Sequence, residues 1–431
     1  MNRWEHVEKS IPRKTNKRWF MLSLIFVLTA INYLDRTNMA VVASSMSAEL
    51  GFNAVTMGML LSAFAWAYAF MQVPGGYILE RLGPRITYAL SLFTMIMGLG
   101  SSFTALFIIR MLIGAAEAPA FPTNNRVVSA WFPDRERATA TSIYTAAEFI
   151  GLAFLTPVLF WILQAFGWRE IFYVTGCVGI IISLFWYLLY RDPKDCKGVN
   201  EAELAYIREG GGQAEKAGTA QKVTAAQILE LFKHRQLLGI YLGQFANTST
   251  MYFFLTWFPM YLVMAKQLPM IQAGFYAVIP YAGALCGVLL GGRWSDYMLR
   301  NGSSLSKARK TPIVCGLICS MSIMAANYAD SLTVIIAIMA VSFFGQGMAA
   351  ILWSTVGDIA PVESMGIAGG VFSFVGNLAG IITPIVIGFI VHVTDSFIGA
   401  MVFISAVAAV GVFSLLCIVG DIHRIDASEH S

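Results

Sequence analysis

One feature of the chain limits its possible folds more than any other. Runs of predominantly apolar residues recur along nearly the whole length, each long enough to cross a hydrocarbon core of ~30 Å with about 20 helical residues. Twelve such spans are read at 19–46, 56–79, 86–103, 105–124, 137–165, 169–190, 237–265, 271–292, 311–328, 332–356, 364–390 and 396–420. In lipid every backbone polar group must be satisfied internally, which leaves helices and closed barrels. A barrel would read as alternating strands of about 10 residues, not as continuous apolar runs. The expected class is an all-α membrane protein with twelve transmembrane helices, and the lipid bilayer is its first partner. Composition agrees: charged residues make up 13%, against roughly 25% in soluble domains, and mean hydropathy is +0.66.

Lysine and arginine placement orients the spans. Of the 29 basic residues, 25 fall in the N-terminal tail, the C-terminal tail and the loops after spans 2, 4, 6 and 8. Only Arg169 and Lys266 lie on the other side, and Arg36 and Arg110 lie within spans. By the positive-inside rule both termini are cytoplasmic, which an even number of spans also requires. The basic tail lacks a small-residue cleavage site before the first apolar run, so no removable signal peptide is expected. A monomer is expected.

The segment 191–236 is the one long polar stretch and divides the chain into residues 1–190, a cytoplasmic linker, and residues 237–431. Within the linker, Asn200-x-x-Glu203 reads as a capping box ahead of a short helix that Gly210-Gly211-Gly212 stops. Thr224-x-x-Gln227 opens a second, amphipathic helix. The two halves echo each other. Glu80, in Gly76-Tyr-Ile-Leu-Glu80-Arg81-Leu-Gly83-Pro-Arg85, is matched 216 positions later by Asp296 in Gly292-Arg-Trp-Ser-Asp296. Thr156-Pro157 recurs 227 positions later as Thr383-Pro384. A duplicated six-helix unit with a binding site between the copies is a transporter architecture.

Five charges interrupt the apolar runs: Asp35, Arg36, Arg110, Glu117 and Glu148. Each costs ~2.5–3.5 kcal/mol at a helix centre, so together they cost on the order of 10 kcal/mol before pairing. They should therefore face the bundle interior and meet one another. Arg110 and Glu117 are seven residues apart, nearly one helical face but ~10 Å along the axis, so each must find its partner on another helix. Ion pairing that only fixes helix packing is the structural alternative. Three acids against two arginines leave at least one carboxyl without an arginine of its own. Kept from water, such a group can hold a proton at neutral pH.

Other chemistry is not signalled. The six cysteines are scattered, and Cys315-x3-Cys319 has no nearby histidine or third cysteine, so no metal site is expected. The sequence has no phosphate-cradling loop, no nucleophile–base constellation and no nucleic-acid-binding pattern. An enzyme is not expected, and neither is a cofactor other than protons as coupling ion. A membrane sensor or anion channel is the competing class, disfavoured by the paired acids and the two-fold repeat.

The stretch Gly76 to Arg85 resembles the signature loop of the major facilitator superfamily. Asn32-Tyr-Leu-Asp35-Arg36, Glu117-Ala-Pro-Ala-Phe-Pro-Thr-Asn-Asn-Arg126, Trp131-Phe-Pro133, Ala308-Arg-Lys-Thr-Pro312 and Val419-Gly-Asp-Ile-His-Arg-Ile425 resemble its anion:cation symporters, in particular bacterial importers of sugar acids. The resemblance implies two pseudo-symmetric six-helix bundles in a bacterial cytoplasmic (inner) membrane and proton-driven uptake of a small carboxylate sugar. It implies that Asp35 and Glu117 carry protons and that Arg36 and Arg110 bind carboxylate or balance the acids. Tyr33, Tyr68 and Trp353 match its substrate contacts. Glu148 and Ser373 depart from the galactonate pattern, which has glutamine and asparagine there; Asn377, one turn on, resembles the glucarate type.

Gln244 joins Tyr33, Tyr68, Glu148, Ser373 and Asn377 as expected partners of substrate hydroxyls, with Trp353 stacking on the carbon backbone. Gly76, Glu80, Gly83, Arg85 and Asp296 are expected to form the inner gate. Glu148 either carries a further proton or pairs with Arg126. Aldonate, aldarate and hexuronate substrates remain open, as does an anion exchanger.

Overall fold

The computed structural model describes residues 14–89, 94–212, 231–361 and 365–425. Every regular element among them is helical. The first half comprises α1 (Lys17–Leu50), α2 (Ala54–Ala89), α3 (Phe103–Glu117), α4 (Ala120–Trp131), α5 (Asp134–Phe166) and α6 (Trp168–Leu189). After the linker helix α7 (Glu201–Glu209), the second half comprises α8 (Arg235–Tyr252), α9 (Met270–Arg300), α10 (Leu305–Met321), α11 (Leu332–Met348), α12 (Leu352–Ile359), α13 (Met365–Thr394) and α14 (Ile398–Phe413). Ten helical stretches among the described residues are long and apolar enough to cross a membrane.

The other two expected spans are present as interrupted elements. Gly83, at φ 74°, breaks α2. The third span therefore starts at the bend and ends in a 3-10 turn, Thr94–Leu99, with 90–93 outside the described residues. The seventh span continues α8 through a π segment, Phe253–Trp257, a single turn Phe258–Met260, and a second π segment, Tyr261–Ala265. Pro259, which lacks an N–H, sits between the two π segments. Within the fourth span, Pro119 stands between α3 and α4.

The two halves join at the end of the bundle away from the chain termini. There the repeated Thr-Pro dipeptides face glycines of the opposite half. A methyl group built on Gly58 of α2 would lie 2.5 Å from the Pro384 carbonyl oxygen and 3.3 Å from Gly388 Cα of α13. One built on Gly274 of α9 would lie 3.1 Å from Pro157 Cα and Phe160 Cβ of α5. Gly58 and Gly274 are themselves 216 positions apart, the offset that separates Glu80 from Asp296. Duplication thus places the same small-residue contact at two symmetry-related seams, where only glycine lets the backbones meet. Trp257 adds a hydrogen bond from its Nε1 to the Pro384 carbonyl, 3.2 Å.

The buried apolar core follows the same division. One cluster runs through both halves, from Tyr33, Phe64 and Phe149 to Phe254, Phe343 and Ile381. Phe343 stacks on Phe254 at 4.2 Å and meets Phe149 of the other half at 6.1 Å. Towards the termini each half has its own core instead, one around Trp131 and Trp186 and the other around Leu317 and Phe372. The halves are therefore held together at the far end and separately packed at the terminal end.

The linker helix is anchored to the first half. Asn200 caps it, accepting from the Glu203 amide at 2.9 Å as the first half of a capping box does, while its own amide donates to Thr15 Oγ1 at 3.1 Å. The buried Glu203 carboxylate accepts from Thr15 Oγ1 (2.5 Å), from the amides of Lys17 and Arg18, and from Arg18 Nη1 (3.0 Å). It thereby satisfies the open N-terminus of α1. The expected second linker helix falls mostly in 213–230, outside the described residues.

Candidate functional site

All five intramembrane charges are buried and lie within the spans. Asp35 and Arg36 come from α1, Arg110 and Glu117 from α3, and Glu148 from α5. Arg36 points its guanidinium into a cage of three rings, with its carbon 4.7 Å from Tyr33, 4.8 Å from Phe64 and 4.7 Å from Tyr68. Ring faces attract a desolvated cation, which is how an arginine tolerates this position. Its Nε donates to Glu117 Oε2 at a loose 3.5 Å, while Arg36 Nη2 and Glu117 Oε1 have no hydrogen-bond partner among the described residues. The pair is thus only half-satisfied. Each member keeps a free polar atom in a buried, low-dielectric position.

Arg110 does different work. Its two terminal nitrogens donate to the main-chain carbonyls of Asp35 (3.2 Å) and Arg36 (3.0 Å). α1 continues its helix, so these are second hydrogen bonds to carbonyls already used in the helix, and they fix the height and rotation of α1 against α3. Asp35 accepts from Asn38 Nδ2 at 3.1 Å, and Asn38 also donates to Thr175 of α6 at 2.8 Å. Glu148 lies beside the Tyr33 hydroxyl and in the field of Arg36. A pair between Glu148 and Arg126 is not found among the described residues.

The second half contributes Tyr252, which closes the cage from across the molecule. It lies in the fields of Arg36, Arg110 and Tyr68 and packs on Gly380 of α13, where an added methyl would sit 2.6 Å from its hydroxyl. On the terminal side of this centre, Asn377 donates to the Ser373 carbonyl at 2.9 Å. Gln244 of α8 approaches the same helix, its Nε2 3.0 Å from a methyl built on Gly376. Ser373 Oγ donates to Gln72 Oε1 of α2 at 3.2 Å, a bond between the two halves. Trp353 lies further towards the termini, 54% exposed and edge-on to Phe372 at 4.8 Å.

The expected gate residues sit at helix ends on the terminal side. Gly83 supplies the left-handed bend in α2. Arg85 donates from Nε to the Tyr187 carbonyl at 2.6 Å and lies over the Tyr187 ring, which ties the loop to α6 of its own half. Gly76 faces open space, and it is Gly75 that packs closely: a methyl built on it would lie 3.1 Å from Pro119 Cγ. Asp296 is exposed. Its sequence neighbour Ser295 accepts from Arg309 of α10 at 3.0 Å, and Arg309 also pairs with Asp358 of α12 at 2.7 Å. The Glu80 side chain lies outside the described residues.

Sequence reasoning passed over Tyr252, Asn38, Thr175 and Gln72. Tyr252 ends a polar run, Asn247-Thr-Ser-Thr-Met-Tyr252, that interrupts an apolar span and could have flagged it. Gln72 gives a weaker signal, a single uncharged polar side chain within the second apolar span.

The Major Facilitator Superfamily profile matches residues 25–384. The chain is 45% identical to the D-galactonate transporter of Escherichia coli O6:H1 over 418 residues, covering 95% of this chain and 97% of that protein. It is 41% identical to the "Probable galactarate/D-glucarate transporter" of Bacillus subtilis (strain 168), covering 96% and 94%. Among solved structures, a bacterial homologue of the human lysosomal transporter Spinster, in an inward-facing and unoccupied conformation, aligns with a TM-score of 0.73 at 18% identity, over 95% of this chain and 99% of that one. Two duplicated halves with a buried charge cluster at their interface agree with these matches: the chain belongs to the Major Facilitator Superfamily and is a multi-pass membrane transporter, not an enzyme.

Proposed function

We propose that the chain imports a sugar-acid anion, an aldonate or aldarate such as galactonate, glucarate or galactarate, together with protons, by alternating access. The observation that carries this reading is the half-satisfied Arg36–Glu117 pair inside its aromatic cage. A guanidinium held by ring faces, the Tyr68 hydroxyl and one weak carboxylate contact can exchange that carboxylate for a substrate's at little reorganisation, and can bind it in bidentate fashion. The names of relatives at 45% and 41% identity support a sugar acid as the carboxylate.

In this mechanism a proton on Glu117 releases Arg36 to the substrate. A proton on Asp35 removes the second negative charge beside it. Tyr33, Tyr68, Glu148 and Tyr252 hydrogen-bond the hydroxyls, with Gln244 and Asn377 below them. Arg110 keeps α1 in register throughout, because its contacts are to the main chain and do not depend on the acids' protonation. When the acids lose their protons on the other side, the Arg36–Glu117 pair re-forms and expels the anion. With the termini in the cytoplasm of an inner membrane, the joined far-end seams face outward, and the exposed Trp353 lines the inward path.

The test is uptake of labelled galactonate and glucarate by proteoliposomes with only an imposed pH gradient, alkaline inside. Accumulation above equilibrium that a protonophore collapses is expected. Uptake that requires preloading with another organic anion would overturn symport in favour of an exchanger, including one for hexuronates.

A further inference from the structure

Two independent paths place Gln72 and Ser373 just below the charged site. Tyr68 and Gln72 are four residues apart on α2, hence on one face and ~6 Å apart along the axis, about the length of an extended six-carbon chain. On the opposite half, Tyr252 packs on Gly380. Asn377 and Ser373 lie one and two turns further along that face towards the termini. The Ser373 hydroxyl donates to Gln72 Oε1 at 3.2 Å across the interface. Both residues are half-buried. The Gln72 amide nitrogen and Asn377 Oδ1 have no partner among the described residues. Gln244 completes the group, and none of the four side chains carries a charge.

We propose that Gln72 is a specificity-determining residue. It reads the terminal hydroxyl of a six-carbon sugar acid whose carboxylate is held by Arg36, with that hydroxyl taking the place of Ser373 on the Gln72 carbonyl. This rests on the sugar-acid reading above. The geometry supplies what a hydroxyl needs at the distal end, an acceptor on Gln72 and donors on Gln72 and Ser373. It supplies no cation for a second carboxylate, and a buried charge without a partner is costly. The substrate is accordingly an aldonate rather than an aldarate. Because the Gln72–Ser373 bond joins the halves, its exchange for a substrate hydroxyl also couples recognition of the distal end to their separation on the terminal side.

The experiment measures binding of galactonate, its 6-deoxy analogue and galactarate to purified protein by calorimetry or competition. Wild-type protein is expected to bind the 6-deoxy analogue about tenfold more weakly than galactonate, the loss of one buried hydrogen bond. In Gln72→Met, which keeps length and removes the amide, that ratio should fall to near one. A ratio that Gln72→Met leaves unchanged, a ratio near one in the wild type, or tighter binding of galactarate than of galactonate overturns the inference alone. Each measurement is a ratio within one variant, so a general loss of folded protein cancels. If wild-type protein binds none of the three, the sugar-acid reading falls and the inference falls with it.

Discussion

The glycine seams at the far end give a graded prediction. An alanine at Gly58 would bring its methyl to 2.5 Å from the Pro384 carbonyl oxygen, and the neighbours on that side, Gly388 Cα and the Pro384 carbonyl carbon at 3.3 Å, are also main chain. No side chain can rotate away, so α2 and α13 must part by most of an ångström. At Gly274 the nearest atoms are at 3.1 Å and include Phe160 side-chain carbons that can give by a few tenths. Overpacking costs ~1–3 kcal/mol. The upper part of that range applies to Gly58→Ala and the lower part, or less, to Gly274→Ala.

The penalty falls only on the arrangement with the far end joined, so it shifts the balance between the two states of the transporter. At about 1.4 kcal/mol per tenfold, Gly58→Ala should raise the far-end-open population roughly tenfold to a hundredfold. Gly274→Ala should raise it about threefold to fivefold. Leu61, one turn along α2 from Gly58 and 4% exposed, reports the opening when replaced by cysteine in a background lacking the six natural cysteines. The rate of its labelling by a membrane-impermeant maleimide should follow the order Gly58→Ala, then Gly274→Ala, then parent. Equal rates in all three, or Gly274→Ala faster than Gly58→Ala, would refute the claim that these contacts hold the halves together.

Further outcomes follow from the same contacts. Arg36→Lys keeps the charge but loses the planar group that three rings hold, and uptake at low substrate should fall by at least tenfold, measured as initial rate over concentration. Glu148→Gln should leave binding of a monocarboxylate sugar within about threefold, since a protonated glutamate and glutamine are similar hydrogen-bonding groups; unchanged current per substrate in that variant would show that Glu148 carries no proton. Glu203→Ala removes the acceptor of four described donors at the start of α1 and leaves the buried Arg18 with Glu136 alone. A loss of about 3–5 kcal/mol is expected, read as a marked drop in thermal stability of the detergent-purified protein.

The sequence alone determined the all-helical membrane class, because hydrophobic length acts locally and leaves direct marks on the chain. It also determined that Asp35, Arg36, Arg110, Glu117 and Glu148 must lie inside the bundle, since lipid would reject them. Which charge meets which was decided only in three dimensions. Spacing along α3 left both Arg110 and Glu117 free to reach α1. The fold gives the Arg36 side chain to Glu117 and sets Arg110 on two main-chain carbonyls, a partner no sequence pattern announces. The repeated Thr-Pro was visible at once, yet its role as the surface that Gly58 and Gly274 pack against needed both halves in place. Gln72 and Tyr252 join the site only because opposite halves converge there. A contact between residues some 300 positions apart depends on how whole helices pack, and single residues carry no record of it.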